Sequence, residues 1–467
     1  MIPYFPKQIG ERAMLVYLIS LSLVSLVFVN YIMGLGYIAL GFFWVCGFFG
    51  MVALCSKSWR SFSEKRFVET IVIVGLALRI VWVIVSYFFY EAVTGIPFEF
   101  SAADSLAYHE DAMWLASEPF SSTGRYLFGA VIMLADSGYP FFLSVIYRIF
   151  GPVVIIPRIL NALLSAWTCV LLYRIAARTF EEETARMATI MMVFMPNLII
   201  YCGYHLKETL MLFLLVAGLE RTDALIRGKQ MTFWSILVSS LLVGSLFLFR
   251  TALGAAAVIA FASAILASSA PSMKRGGKRI ALIGWGVLTL VLFAGGSIAT
   301  EVEEMWEGRE ENVVRKREQQ AILGNQWAKY ATGAVMAPMI VVLPFATMVD
   351  VDEQYGQQAK SGGNYIRNFM GFFAILAIYE AIRRKKWRDF VLVGAFVVAY
   401  LGVVSFSGFS NSERFLLPGL PGLIMMWAYG VSCLQKRSYK LLTPWCFVVV
   451  AMEVAWAYFK LGSRGIL

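Results

Sequence analysis

The chain has 467 residues, 59% of them hydrophobic and 15% charged, with a mean hydropathy of +0.71. That balance excludes a soluble enzyme: apolar runs of about 20 residues, each long enough to cross the ~30 Å hydrocarbon core as a helix, recur from end to end. The formal net charge of +10 does not indicate a nucleic-acid partner either, because Lys and Arg fall in short clusters between the runs, where orientation signals belong.

The runs predict an all-α polytopic membrane protein of about 13 transmembrane helices, without a separate soluble domain. The first two, near 13–33 and 36–55, turn at Gly34 and Gly36 and reach Lys57, Arg60, Lys65 and Arg66. With Lys7 and Arg12 on the same side, the positive-inside rule places the N-terminus in the cytoplasm and makes the first run a retained helix. The run at about 68–90 then delivers the partly apolar segment from Glu91 to Gly151 to the outside as a large outer loop.

The next runs, about 152–176, 187–203 and from near His205, alternate between inner ends rich in Arg174, Arg178, Arg186, Arg221 and Arg227 and an outer turn holding His205, Lys207 and Glu208. The pair 231–249 and 252–270 turns outside at Arg250-Thr251. A span at about 280–299 leads to a second outer segment: a charged stretch, Glu301 to Gln320, then an apolar piece, Gly333 to Val349, with Pro338 and Pro344, read as a re-entrant or interfacial hairpin. The last spans, about 366–382, 389–407, 415–433 and 441–459, set Arg383 to Arg388 inside and Ser410 to Arg414 outside. All six cysteines lie in or beside apolar runs without metal-ligand spacing and read as lipid-facing or packed thiols.

Polar residues that hydropathy does not explain converge on the outer face: Asp104, His109, Glu110, Asp111, Arg125, Asp136, His205, Lys207, Glu208, Arg250, Glu413 and Arg414. Lys207 and Glu208 are the most pointed, since an almost loop-free turn puts them at the membrane boundary, where charge is costly unless partnered or used. Read as a helix, Asp104, Tyr108 and Asp111 fall on one stripe at i, i+4 and i+7. Asp136 to Pro140 reads as a turn before an amphipathic helix, Phe141 to Phe150, which Gly151 ends.

In this order the motifs resemble the GT-C superfamily of membrane glycosyltransferases, in particular the branch of protein O-mannosyltransferases and aminoarabinose-lipid transferases. Asp104 with Tyr108 and His109 is similar to that branch's acidic motif after a span. Gly138-Tyr139-Pro140 through Phe150-Gly151 looks like its Gly-Tyr-Pro turn and short helix, and Arg158 to Arg174 like its next span. Pro196-Asn197 with Lys207 to Leu210 looks like its second acidic site, and Glu413 to Pro418 like its late Arg-aromatic element. The likeness covers roughly 68–435, so residues 1–66 read as an added N-terminal transmembrane hairpin. Residues 67–435 form the core, with outer loops at 91–151 and 300–364, and 436–467 a C-terminal transmembrane helix. One departure is that Asp104 is followed by Ser105 where the branch often has a paired Asp-Glu.

The resemblance implies transfer of a sugar from a polyprenyl-phosphate donor to a glycan, lipid or protein acceptor at the outer leaflet of a bacterial or archaeal plasma membrane, with inversion at the anomeric carbon, in the service of a cell-envelope glycan. Asp104 would be the general base, and Glu208, the second catalytic carboxylate, would orient Lys207, hold the acceptor or help Asp104 bind a divalent metal. Lys207, Arg250, Arg414 and Arg125, with Arg367 behind them, would hold the lipid-phosphate leaving group. Tyr108, His109, Asp111, Asp136, Tyr139, His205 and Glu413 would support the substrate. No cofactor is fixed by the residues; a divalent metal ion at Asp104 and Glu208, which His109 and His205 could join, stays open. The competing readings are an O-antigen-type polymerase or ligase, and a non-catalytic flippase or exporter of lipid-linked saccharide. A flippase needs a polar path to the inner side, and near the centres of the runs only Arg79, Arg158 and Glu453 are charged.

Overall fold

A computed structural model describes residues 2–128, 134–227, 232–268, 339–351, 354–406 and 412–462, with a few isolated positions between 276 and 284. The described residues are helical throughout, apart from turns and one antiparallel bridge between Ile32 and Val349.

The helices are α1 (Lys7–Val27), α2 (Leu35–Ser58), α3 (Glu64–Thr94), α4 (Ala103–Ser117), α5 (Ser122–Phe128), α6 (Leu134–Phe150), α7 (Ile155–Thr179), α8 (Glu182–Phe194) and α9 (Pro196–Ile200). There follow α10 (Glu208–Arg227), α11 (Phe233–Ser245), α12 (Thr251–Ala267), α13 (Tyr355–Ala359), α14 (Ser361–Arg383), α15 (Val391–Phe406), α16 (Glu413–Leu416), α17 (Leu420–Ser432) and α18 (Lys436–Gly462). Local chemistry sets the ends of α3: the Ser63 hydroxyl accepts the Arg66 amide, and Gly95, at φ +79°, closes the last turn onto the Glu91 carbonyl. Its 31 residues are more than the ~20 that cross a hydrocarbon core, and its C-terminus leads to α4.

The sequence predicts about 13 spans, and part of that count falls outside the described residues. Among the described residues eight helices are long and apolar enough to cross a membrane, or nine if α8 and the Pro196–Gly203 stretch are one span bent by 50°. Pro196, which cannot continue the α8 hydrogen-bond ladder, makes the break. The α10 helix carries Glu208, Glu220, Arg221, Asp223 and Arg227, while α11 and α12 run 13 and 17 residues. The span at 280–299, the charged stretch and the first part of the Gly333–Val349 piece lie outside the described residues. The described part of that piece, from Met339, is irregular and largely buried, and Asn368 Nδ2 donates to the Val342 and Pro344 carbonyls at 2.7 and 2.9 Å.

Two further features depart from the sequence reading or complete it. Asp136 to Pro140 is not a turn but part of α6, with Pro140 inside the helix, where it leaves the Asp136 carbonyl without its i+4 amide donor. A Cβ on Gly138 would lie 2.9 Å from the Leu248 carbonyl, so glycine lets α6 touch the turn that breaks α11 from α12. Arg79, fully buried in α3, donates to Ser165 Oγ at 2.7 Å and to the Val193 and Met192 carbonyls at 3.3 and 3.5 Å. These are carbonyls that the Pro196 break deprives of helical partners. Arg79→Leu is expected to cost about 2 kcal/mol or more, because it strands them; an unchanged melting temperature in detergent would show that water replaces the guanidinium.

The charges segregate to two ends of the bundle. At one end Arg178, closing α7, binds Glu220 and Asp223 near the end of α10, and Arg186 caps the Trp59, Arg60 and Phe62 carbonyls after α2. Arg227 reaches the Asp389 carbonyl before α15. These are the clusters expected to lie inside. The remaining polar residues meet at the other end.

Candidate functional site

The site is built where several helices begin. Glu208 opens α10, Arg250 precedes α12, Lys360 precedes α14 and Glu413-Arg414 open α16, so partial positive charge from helix N-termini points into one region. The α4 and α6 helices bring Asp104, Tyr108 and Asp136 to it.

Arg414 is the hub. Its Nε donates to Glu208 Oε1, its Nη1 to Asp104 Oδ2 and its Nη2 to the Tyr108 hydroxyl at 3.4 Å. Arg250 Nη2 lies 3.6 Å from the same Glu208 oxygen, its Nη1 donates to Tyr400 Oη at 2.8 Å, and its guanidinium stacks 4.2 Å from the Phe415 ring centre. Glu208 is fully buried and its Oε2 has no hydrogen-bond partner among the described residues. It therefore holds the two arginines, whereas Lys207 is held by Asp136 and by the Phe249 carbonyl at 2.7 Å. That carbonyl is released by the break before α12. The Tyr108 hydroxyl also reaches Asp136 Oδ1 at 3.3 Å, tying the Arg414 and Lys207 groups together.

Asp104 differs from Glu208 in access. Its side chain is 58% exposed, and it borders a cavity of about 180 Å3 lined also by Glu99, Tyr201, Tyr204, Lys360, Ser412 and Arg414. Burial pulls the Lys207 ammonium below its ordinary range, which Asp136 opposes, and pushes the Tyr108 phenol up, with Asp136 adding to the push. Glu413 accepts from Asn197 and lies 3.0 Å from Lys360 Nζ.

Two histidines form a separate chain. His109 Nδ1 lies 2.7 Å from the Tyr147 hydroxyl, which lies 3.1 Å from His205 Nε2, and Tyr139 packs its ring between Tyr108 and His205. Burial lowers both imidazoles, His205 strongly, with Arg158 adding to the effect there. A buried neutral imidazole binds fewer protons than an unfolded one, so stability rises with pH and is lost as pH falls below about 6.5. Melting between pH 8 and 5.5 is therefore expected to show a falling midpoint, and His205→Gln to flatten the slope; an equal slope in the variant would contradict this.

Asp111 is not part of the cluster. It lies two helical turns beyond Asp104, about 10 Å along the axis, where it interacts with Tyr126 and burial raises its carboxyl. The Arg125 side chain lies outside the described residues. Among the described residues no group of three or more His, Cys, Asp or Glu is placed to hold a metal ion. Asp104 and Glu208 do not fit one as a pair, because the Arg414 guanidinium occupies the space between them. Sequence reasoning misses Lys360 and Tyr400. Lys360 sits in a stretch with the composition of an ordinary solvated loop, and Tyr400 lies inside an apolar run, where one hydroxyl carries no signal.

No known protein-family model matches the chain, and no curated protein matches it. Among solved structures it is similar to the oligosaccharyltransferase of Archaeoglobus fulgidus in the apo form, with a TM-score of 0.46 at 12% identity, over 87% of this chain and 56% of that one. It is also similar to archaeal oligosaccharyltransferase AglB from Archaeoglobus fulgidus in complex with an inhibitory peptide and a dolichol-phosphate, with a TM-score of 0.46 at 11% identity, over 86% and 56% of the two chains. The chain thus spans a little over half the length of these structures.

Proposed function

We propose that this protein is a membrane glycosyltransferase that moves a sugar from a polyprenyl-phosphate donor to an acceptor hydroxyl at the extracytoplasmic face. The observation that carries the reading is the Arg414 hub: an accessible carboxylate, Asp104, bonded to the partly buried Arg414 at the mouth of a cavity, at the end of the bundle opposite the basic clusters. By the positive-inside rule the clusters face the cytoplasm and the hub faces out.

In this reading Asp104 takes the acceptor proton as the acceptor oxygen bonds to the anomeric carbon. The bond from that carbon to the phosphate oxygen breaks, its electron pair stays on the carrier phosphate, and the configuration inverts. Arg250, Arg414 and Lys207 stand where the leaving charge develops and are already oriented by Glu208, Tyr400 and Asp136, so little reorganisation is needed. Glu208 is a positioning residue, since it is fully buried and, of the arginines it holds, Arg414 is the one that borders the cavity. The order of motifs is what favours the protein O-mannosyltransferase and aminoarabinose-lipid transferase branch of the GT-C superfamily.

Proteoliposomes supplied with labelled polyprenyl-phosphate sugar and acceptor extract separate transfer from transport. Covalent transfer of label with release of the carrier phosphate is expected. Movement of intact labelled lipid across the bilayer without transfer would replace this reading with that of an exporter.

A further inference from the structure

Lys360, Asn364 and Arg367 fall on one stripe along the start of α14, at i, i+4 and i+7, and all three are buried. Lys360 Nζ lies 3.0 Å from Glu413 Oε2 and borders the cavity with Asp104 and Arg414. Asn197 links Asn364 to Glu413. Arg367 is 3% exposed, and its Nε and Nη2 have no hydrogen-bond partner among the described residues; neither has the Asn197 carbonyl oxygen. The carboxylate that acts on Arg367 is again Glu413.

The charge count differs from that around the hub. Arg250 and Arg414 share Glu208, with Asp104 added, and Lys207 has Asp136. Among the described residues, Lys360 and Arg367 have one carboxylate, Glu413, between them, while Glu99 and Asp104 line the cavity that Lys360 borders. A buried cation without a counter-charge and with unmet donors is expensive, and a ligand that brings the missing anion relieves that cost. The cavity gives such a group access to Lys360 and Arg414, and Arg250, which is not among its lining residues, is linked to Arg414 through Glu208.

We propose that Lys360, with Arg367 behind it, forms a second anion-binding subsite of the cavity, which takes an additional anionic group of the substrate besides the phosphate bonded to the sugar. This rests on the reading of the site as one for a lipid-linked sugar. The shared chemistry is a phosphate or carboxylate, supplied either by the outer phosphate of a diphosphate carrier or by an acidic substituent on the sugar.

The test is equilibrium binding by the full chain in detergent. The probes are a polyprenyl monophosphate, the diphosphate of the same chain length, and monophosphate carriers bearing a neutral hexose or a hexuronic acid. Wild type is expected to bind one doubly anionic probe at least about tenfold more tightly than its singly anionic counterpart. Lys360→Gln should shrink that ratio to within about twofold while the plain monophosphate is held as before, and Lys360→Arg should keep it. Preference for the diphosphate names the carrier as the source, and preference for the hexuronic acid names the sugar. Equal binding of all probes by wild type, no binding of any probe, or a preference that survives in a folded Lys360→Gln protein would overturn the subsite. If the preference is present and Lys360-dependent but no donor is ever consumed, the transfer reading falls and the subsite stands.

Discussion

Asp104→Asn is expected to lower turnover by a factor of about 10² to 10⁴ with little change in melting temperature. Asn keeps the size of the side chain and an acceptor oxygen for Arg414 Nη1, but it cannot take the acceptor proton. The exposure of Asp104 and its single bond to the hub make it the carboxylate whose loss the fold feels least. Donor binding should change little, because the cations stay in place, so the loss falls on kcat rather than KM. Measuring both constants with one donor checks this; a tenfold rise in KM at unchanged kcat would instead make Asp104 a binding residue.

The opposite balance is expected at Glu208. It is fully buried, and two arginines converge on its Oε1. Glu208→Ala removes the charge that lets Arg250 and Arg414 approach each other at the start of α10, and breaking a buried pair in this way costs about 3–5 kcal/mol. The melting midpoint should drop sharply, and activity should vanish with it. Glu208→Gln, which keeps the hydrogen-bond acceptor, should recover part of the stability. A Glu208→Ala protein as stable as wild type would mean that Arg250 and Arg414 find other partners and that the hub is not held by this carboxylate.

Much of the site is legible in the sequence, because a membrane makes unexplained charge conspicuous. Lys207, Glu208, Arg250 and Arg414 each stand at the edge of an apolar run, and the fold joins Glu208, Arg250 and Arg414 directly and Lys207 through Asp136 and Tyr108. The pairing itself is not legible. Adjacency suggests Lys207 as the partner of Glu208, but successive residues at a helix start point in different directions, and Glu208 faces the arginines instead. The Asp104, Tyr108, Asp111 stripe is sound as periodicity, yet one guanidinium reaches only its first two members. Tertiary contact also decides the fate of the Asp136–Pro140 stretch: glycine and proline suggest a turn, whereas helix with a close contact at Gly138 places Asp136 beside Lys207. Among the described residues, the runs that apolar length picks out and the eight long apolar helices differ at α10, whose charges gather at its two ends, and at α11 and α12, which run 13 and 17 residues.

The central claim is that the Arg414 hub and its neighbours perform transfer from a lipid phosphate. Its most direct test is the release of free carrier phosphate from a panel of polyprenyl-phosphate sugars, with acceptor extract present, by purified wild type and by folded Asp104→Asn and Lys207→Ala proteins. Wild type is expected to consume at least one donor, and both variants to fall by about two orders of magnitude or more. Turnover by the two variants equal to wild type would place the chemistry elsewhere, and consumption of no donor in a broad panel would contradict the account as a whole.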